Sequence, residues 1–235
     1  MCTLTIYRGN DALIITSNRD ENISRPNSMK PTISWLKGQQ HIYAEDPKGK
    51  GSWLFVNESG EFYILLNGAF IAHEREDHYV KSRGLILLEA CKDQSPSDYF
   101  ESANLNGVEP FQVIYGNPSA ISHFLWDGKN KHFNKQDFSQ RLFFCSPTLY
   151  DAEQTSQLNN LFMNHQFDET DAELLIWKTH LLKQQEGGFF LDRQSFKTSS
   201  STQLILTKRK VIYKHLNHTD QENTSFELNI ATDIN

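Results

Sequence analysis

The feature that most limits what this chain can fold into is the way its apolar stretches are interrupted. Short apolar or alternating runs at 2–7, 12–18, 52–56, 61–67, 111–115 and 120–126 read as strands. Several are joined by turn sequences too brief to hold a helix: Gly9-Asn10-Asp11, Asn57-Glu58-Ser59-Gly60 and Gly116-Asn117-Pro118-Ser119. Strands joined in this way pair antiparallel. A parallel sheet would need a crossover of a dozen or more residues after each strand, and none of these connections is long enough.

Between the hairpins the period changes. Residues 82–92 read as a helix, and Ser95-Pro96 starts a short second one with Ser as cap and Pro at the first helical position. Residues 149–164 and 171–184 form two more helices. The last begins with a Thr170/Glu173 capping box and carries Leu174, Leu175, Trp177, Leu181 and Leu182 on a broad apolar face, with Gly187-Gly188 closing it. Strands return at 203–206, 211–215 and 226–230, with a short one at 41–44, while 19–31 and 46–51 read as polar loops. The order strands, helices, strands, helices, strands gives an α+β chain of two mainly antiparallel sheets covered by helices. With no repeat and no linker composition, residues 1–235 form one domain on this reading.

Composition excludes several classes. Twenty-three Lys and Arg against 29 Asp and Glu give a net charge of −6, which is no footprint for nucleic acid. An aromatic content of 12% is incompatible with a solvated, disordered chain. No run approaches the roughly 20 apolar residues of a membrane span, and the first residues lack a basic stretch followed by an apolar one. Cys2, Cys91 and Cys145 have neither zinc nor disulfide spacing. The expectation is a cytoplasmic protein with no metal and no resident cofactor.

Two features carry chemistry. Cys2 would become the N-terminal residue on removal of Met1 and would then hold a thiol beside a free α-amine. An α-amine has an intrinsic pKa of about 8 and a thiol about 8.5, so the amine can serve as general base for its own side chain. The second feature is Asn18-Arg19-Asp20-Glu21, at the end of the second strand. In the N-terminal hairpin that end lies beside Cys2, where Arg and Asp can orient an amine, hold a thiolate and bind a polar substrate. Other candidates read as structural. His215 and His218, with no third ligand, are surface histidines, and His73 and His78 flank a solvated loop. Cys91 and Cys145 are buried, Trp35, Trp53, Trp126 and Trp177 are packing residues, and Lys208-Arg209-Lys210 is a basic hairpin turn.

Taken together, these residues resemble the NRDE family, also called the transport and Golgi organisation 2 family, whose members typically start Met-Cys and share the tetrad. Gly51-Ser52-Trp53-Leu54-Phe55-Val56-Asn57, Gly60, the strand ending Leu66-Asn67 and Ser82-Arg83-Gly84 are similar to its following motifs. The resemblance implies an N-terminal-nucleophile (Ntn) hydrolase-like fold, a four-layer αββα sandwich like that of penicillin V acylases and bile-salt hydrolases. In that scheme Cys2 attacks a non-peptide amide, its α-amine moves the proton and Asn67 donates to the oxyanion. Asp20 contacts the amine or thiol, and Arg19 supports the site or binds substrate. Asn18, Glu21 and Ser199 are the substrate-binding candidates.

Two departures bear on function. Where the family carries a Ser-Asn pair, this chain has Ser146-Pro147, and Ser199 stands in the place of a late Arg. A serine cannot supply the planar donor fork of a guanidinium. Two implied functions therefore stay open: a cysteine amidohydrolase acting on a small acylated amine, and a non-catalytic carrier of a small molecule. Haem is the carrier ligand proposed for the family, whose eukaryotic members are linked to secretion and Golgi organisation.

Overall fold

The computed structural model describes residues 2–93, 95–136, 140–168 and 170–230, with Cys2 through its backbone alone. The chain opens with strands β1 (Cys2–Arg8), β2 (Ala12–Asn22), β3 (Thr32–Leu36), β4 (Gln39–Tyr43), β5 (Leu54–Asn57) and β6 (Phe62–Asn67). Helices α1 (Arg83–Cys91) and α2 (Pro96–Ser102) precede β7 (Phe111–Asn117), β8 (Ala120–Trp126), β9 (Lys131–Lys135) and β10 (Arg141–Cys145). Helices α3 (Ala152–Asn164) and α4 (Ala172–Leu181) precede β11 (Phe196–Thr207), β12 (Lys210–Asn217) and β13 (Asn223–Asn229).

The strands form two sheets. One has the order β10-β1-β2-β11-β12-β13 and the other is the meander β3-β4-β5-β6-β7-β8-β9. All neighbouring strands are antiparallel, as the hairpin turns require. The sheets stack, with α1 packed on β6 of the meander and α3 and α4 on β10, β2 and β11 of the other sheet. This is the four-layer α+β sandwich.

The two faces of β1 and β2 bury different things. Leu4, Ile6, Leu13 and Ile15 join the core shared with Phe55, Ile64, Val113 and the α1 residues Ile86 and Leu87. Tyr7 and Ile14 turn the other way, against Leu158 and Phe162 of α3 and Ile176 of α4. On β2, odd positions therefore face the second sheet and even positions face the helices.

Several sequence expectations are corrected. Residues 19–22 are strand, not loop, because β2 runs on through the charged tetrad and pairs with β11, which itself begins at Phe196 rather than near 203. Helix α4 is capped at Asp171 with no side-chain bond, so the Thr170/Glu173 box does not form, and Gly187 closes a following 3-10 turn rather than the helix. Its buried residues are Ala172, Ile176, Thr179 and His180, while Leu174 and Leu182 are exposed. The sheet beneath presents polar groups, Thr5 and Asn18 among them, and the helix answers with His180 rather than with its leucines. Trp35 is not a packing residue, being 66% exposed on edge strand β3. No helix among the described residues is long and apolar enough to cross a membrane.

One contact fixes how α1 meets the sheet. A Cβ at Gly51 would lie 2.1 Å from the carbonyl carbon of Gly84, and one at Gly84 would lie 3.0 Å from the Ser52 oxygen. The two backbones touch, which accounts for glycine at both positions. Gly51→Ala should therefore cost about 2–3 kcal/mol in urea unfolding through overpacking. Gly9→Ala, whose Cβ would meet only ordinary contacts at 3.5 Å, should be near neutral. Equal stability of the two variants would refute this account.

Candidate active site

Strand register sets the site. Cys2 lies directly opposite Arg19 in the β1–β2 ladder, and Ser200 lies opposite Arg19 on its other side. Arg19 faces the second sheet, and its side chain is only 3% exposed. Its Nη2 meets Asp46 Oδ2 at 2.5 Å and Glu21 Oε1 at 3.5 Å, its Nη1 donates to Ser199 Oγ at 3.0 Å, and its guanidinium lies 4.6 Å over the Trp53 ring. Ser199 occupies a β-bulge between Thr198 and Ser200, where its hydroxyl also donates to the Arg19 carbonyl oxygen at 3.0 Å. The bulge thus turns an extra residue onto Arg19.

Asp46 is the counter-charge, and the sequence reading passed over it as part of a turn. It receives a two-pronged contact from Arg25, Nε to Oδ2 and Nη2 to Oδ1 at 2.9 Å each, and the backbone N–H groups of Lys48 and Gly49. Burial works against its charge, but Arg25, the Gly49 N–H and Arg19 hold its carboxyl below the usual range. The connection between β4 and β5 is thereby tied down on Arg19.

These residues line a cavity of about 740 Å³. Arg19, Glu21, Asp46, Trp53 and Asn67 are in its wall. Asn67 ends β6, and its main-chain N–H donates to Ser146 Oγ at 3.1 Å while its side-chain amide makes no hydrogen bond to a described residue. A second ion cluster completes the wall: Arg83 Nη2 to Glu109 Oε2 at 3.0 Å, with His73 Nε2 on Glu109 Oε1 at 3.3 Å. His73 is therefore part of a cavity wall, not of a solvated loop.

Asn18 and Asp20 lie on the opposite face of β2. Asn18 is fully buried, donates to the His180 carbonyl oxygen at 2.9 Å and accepts from Ser201 at 2.7 Å and from His180 Nδ1 at 3.2 Å. Neither it nor Ser199 lines the cavity; of the three substrate-binding candidates Glu21 is in the wall, and Ser199 is joined to the site through Arg19. Asp20, also fully buried, accepts from Thr198 Oγ1 at 2.6 Å and Tyr150 Oη at 2.8 Å. The tetrad is thus split by the strand period, with Arg19 and Glu21 toward the cavity and Asn18 and Asp20 toward the helices. Met1 and the side chain of Cys2 lie outside the described residues.

His215 and His218 are not surface histidines. His215 is buried with Nδ1 at 2.8 Å from Thr202 Oγ1, and His218 Nε2 bonds Ser201 Oγ at 2.8 Å. No group of three or more potential metal ligands is gathered among the described residues.

Comparison with known proteins adds the family. The sequence profile of the Transport and Golgi organisation 2 family matches residues 1–224. The chain belongs to that family. No curated protein matches it in sequence. Solved structures do match in fold. Penicillin V acylase from Agrobacterium tumefaciens has a TM-score of 0.63 at 10% identity, over 97% of this chain and 86% of the other. The C2A mutant of conjugated bile acid hydrolase from Clostridium perfringens has a TM-score of 0.54 at 9% identity, over 97% and 92%. The Caenorhabditis elegans ortholog of N-acylethanolamine-hydrolyzing acid amidase has a TM-score of 0.54 at 10% identity, over 86% and 92%. At these identities the likeness is one of fold, and the fold is that of the Ntn hydrolases.

Two measurements probe the polar framework of this family member. Asp46→Ala would leave Arg19 buried without its main counter-charge, and a loss of about 3–5 kcal/mol in chemical unfolding is expected; a loss below about 1 kcal/mol would show that Glu21 suffices. Asp20 gives a pH signature. Burial pushes its carboxyl up to about 7, against the Thr198 and Tyr150 hydroxyls that favour the charged form. The native protein then holds this proton more tightly than the unfolded chain, where the group titrates near 3.8. Its contribution to stability falls as pH rises from about 4 to about 7 and is level outside that window. Asp20→Asn should remove this slope, gaining on the parent by on the order of 4 kcal/mol across it. Thermal unfolding at a series of pH values checks this, and an unchanged slope would count against it.

Proposed function

We propose that the protein is an N-terminal-nucleophile amidohydrolase that cleaves the amide bond of a small acylated amine. The observation that carries this reading is the ladder register that sets position 2 opposite Arg19, at a cavity also lined by Asn67. With Met1 removed, the Cys2 thiol attacks the amide carbon and its proton passes to the α-amine. In this reading the group that contacts the amine is Asp20, the residue after Arg19 on β2. The side-chain amide of Asn67 donates to the tetrahedral oxyanion, and the fixed charge of Arg19 favours negative charge beside it. As the C–N bond breaks, the leaving nitrogen takes the proton from the α-amine. Water then attacks the resulting thioester with the amine again as base, releasing the acid and restoring the thiol. A reducing compartment such as the cytoplasm keeps that thiol free.

Support from relatives is of the same kind. The neighbours in fold are named as an acylase, a bile acid hydrolase and an amidase, and position 2 of one was chosen for mutation. The competing reading, a carrier without turnover, is favoured by Pro147 and Ser199, where the family resemblance leads one to expect Asn and Arg. Haem is its first candidate ligand, and titration followed by the Soret band tests it.

Intact-mass analysis of the native protein, before and after a thiol-directed amide or lactone probe, should show loss of Met1 and one adduct on Cys2. Cys2→Ser should abolish turnover in a folded protein, and Asn67→Ala should lower kcat on the order of 100- to 1000-fold. Retention of Met1 in the folded protein, or turnover that survives Cys2→Ser, would end the hydrolase reading.

A further inference from the structure

Each sheet ends in two edge strands, and three of these four edges carry charge. β9 has Lys131 and Lys135, β10 has Arg141, and β13 has Glu227. Charge on an edge keeps a further strand from adding to it. The fourth edge, β3, reads Thr32-Ile33-Ser34-Trp35-Leu36 and carries none. Ile33 is 41% exposed and Trp35 66%, and Met29, just before the strand, is exposed as well. Lys30, the nearest cation on that side, is engaged by Glu222 of the β12–β13 connection.

The backbone of this edge is equally open. β3 and β4 are joined by Lys37-Gly38, with φ +55° and +78°, a two-residue hairpin turn that pairs Leu36 with Gln39 through hydrogen bonds. Pairing alternates from there, so Ser34 bonds to β4, and the N–H and C=O groups of Ile33 and Trp35 point away from it. They meet no main-chain group of another described element. The open row is short. Pro31 has no N–H to offer beyond Ile33, and the chain turns back at Lys37.

We propose that β3 pairs antiparallel with β3 of a second copy of this chain, about a two-fold axis at Ser34. In this register Ile33 faces Trp35 of the second copy, and Trp35 faces its Ile33. Both are hydrogen-bonded pairs, so the outward groups of both strands are all used. A shift of the register either way sets one of the two residues against Pro31 or the Lys37 turn. An aromatic side chain then lies beside a β-branched one twice over, on one face of the joined sheets. The edge is its own complement, which is what a two-fold contact requires. Each chain has one uncharged edge, so pairing it closes a dimer and leaves only guarded edges outside. This contact is independent of the hydrolase reading.

Sedimentation velocity of the full chain tests it. A five-residue edge buries less than a standard interface, so a concentration-dependent dimer of twice 27.2 kDa is expected, with a Kd on the order of 10 μM. Trp35→Lys guards this edge as the other three are guarded, and Ile33→Pro removes an outward N–H that β4 does not use. Each should weaken the dimer by about tenfold or more, and Trp35→Lys, at an exposed position, should keep the parent Tm. Cross-linking reads the register, in a Cys2→Ala background where Cys91 and Cys145 are buried. Ser34→Cys sets two thiols opposite each other at the axis, with Cα atoms about 4.5 Å apart and within disulfide range. Oxidised glutathione should convert that variant to a disulfide-linked dimer. Thr32→Cys, which would face Leu36 of the second copy, should not be linked. A parent protein that stays monomeric at about ten times the expected Kd, a dimer unaffected by Trp35→Lys, or Thr32→Cys linking as readily as Ser34→Cys would overturn the proposal.

Discussion

The buried guanidinium of Arg19 is the interaction on which the rest of the site depends. A cation removed from water is costly unless geometry supplies near-complete pairing. Here that pairing comes from three separate parts of the chain: Asp46 from the β4–β5 connection, Glu21 from the same strand and Ser199 from the bulge in β11. Trp53 adds its ring face. Each partner is held in turn, Asp46 by Arg25 and two backbone N–H groups, and Ser199 by the Arg19 carbonyl oxygen. One charge therefore ties the central strand pair to a loop of the other sheet, and the cavity lies where that tie is made.

The strand period then divides the polar residues into two systems with different electrostatics. On the cavity face, charge is balanced by charge, and Asp46 stays ionised. On the helix face, the groups are neutral or nearly so. His180 is pushed down to about 3 by burial and bridges Thr5 and Asn18 as an uncharged ring. Since Asn18 presents its oxygen, His180 Nδ1 carries the proton and Nε2 accepts from Thr5. Asp20, raised by the same burial, sits at the end of this neutral layer nearest the start of β1. A group that exchanges a proton near neutrality, one residue along the strand from a fixed cation, is an arrangement that acid–base chemistry can use.

What the sequence made legible follows from where local signals were sufficient. The hairpins were readable because their turns are short and their residues specific, and antiparallel pairing followed. The cap at Ser95 formed as its sequence indicates. Cys2 beside Arg19 was also legible, since the register of a tight hairpin is set by its turn. The continuation of β2 through Arg19 and Asp20 was not, because a charged tetrad reads as loop until β11, some 180 residues away, supplies its ladder and its counter-groups. Asp46 was missed for the same reason: nothing in Asp46-Pro47-Lys48-Gly49 says that a buried arginine waits for it. The apolar face of α4 was misread because its partner surface is polar, which only the assembled sheet reveals.

The departures from the family pattern gain meaning from this geometry. A second arginine at position 199 would stand beside Arg19, and two buried guanidiniums would need anions to separate them. With serine there, the hydroxyl serves Arg19 and its carbonyl at once, and the cavity needs no further acid. At 147, where the resemblance implies an amide side chain, proline instead packs against Gly68 together with the Thr148 methyl, so the residue after Asn67 is held to glycine.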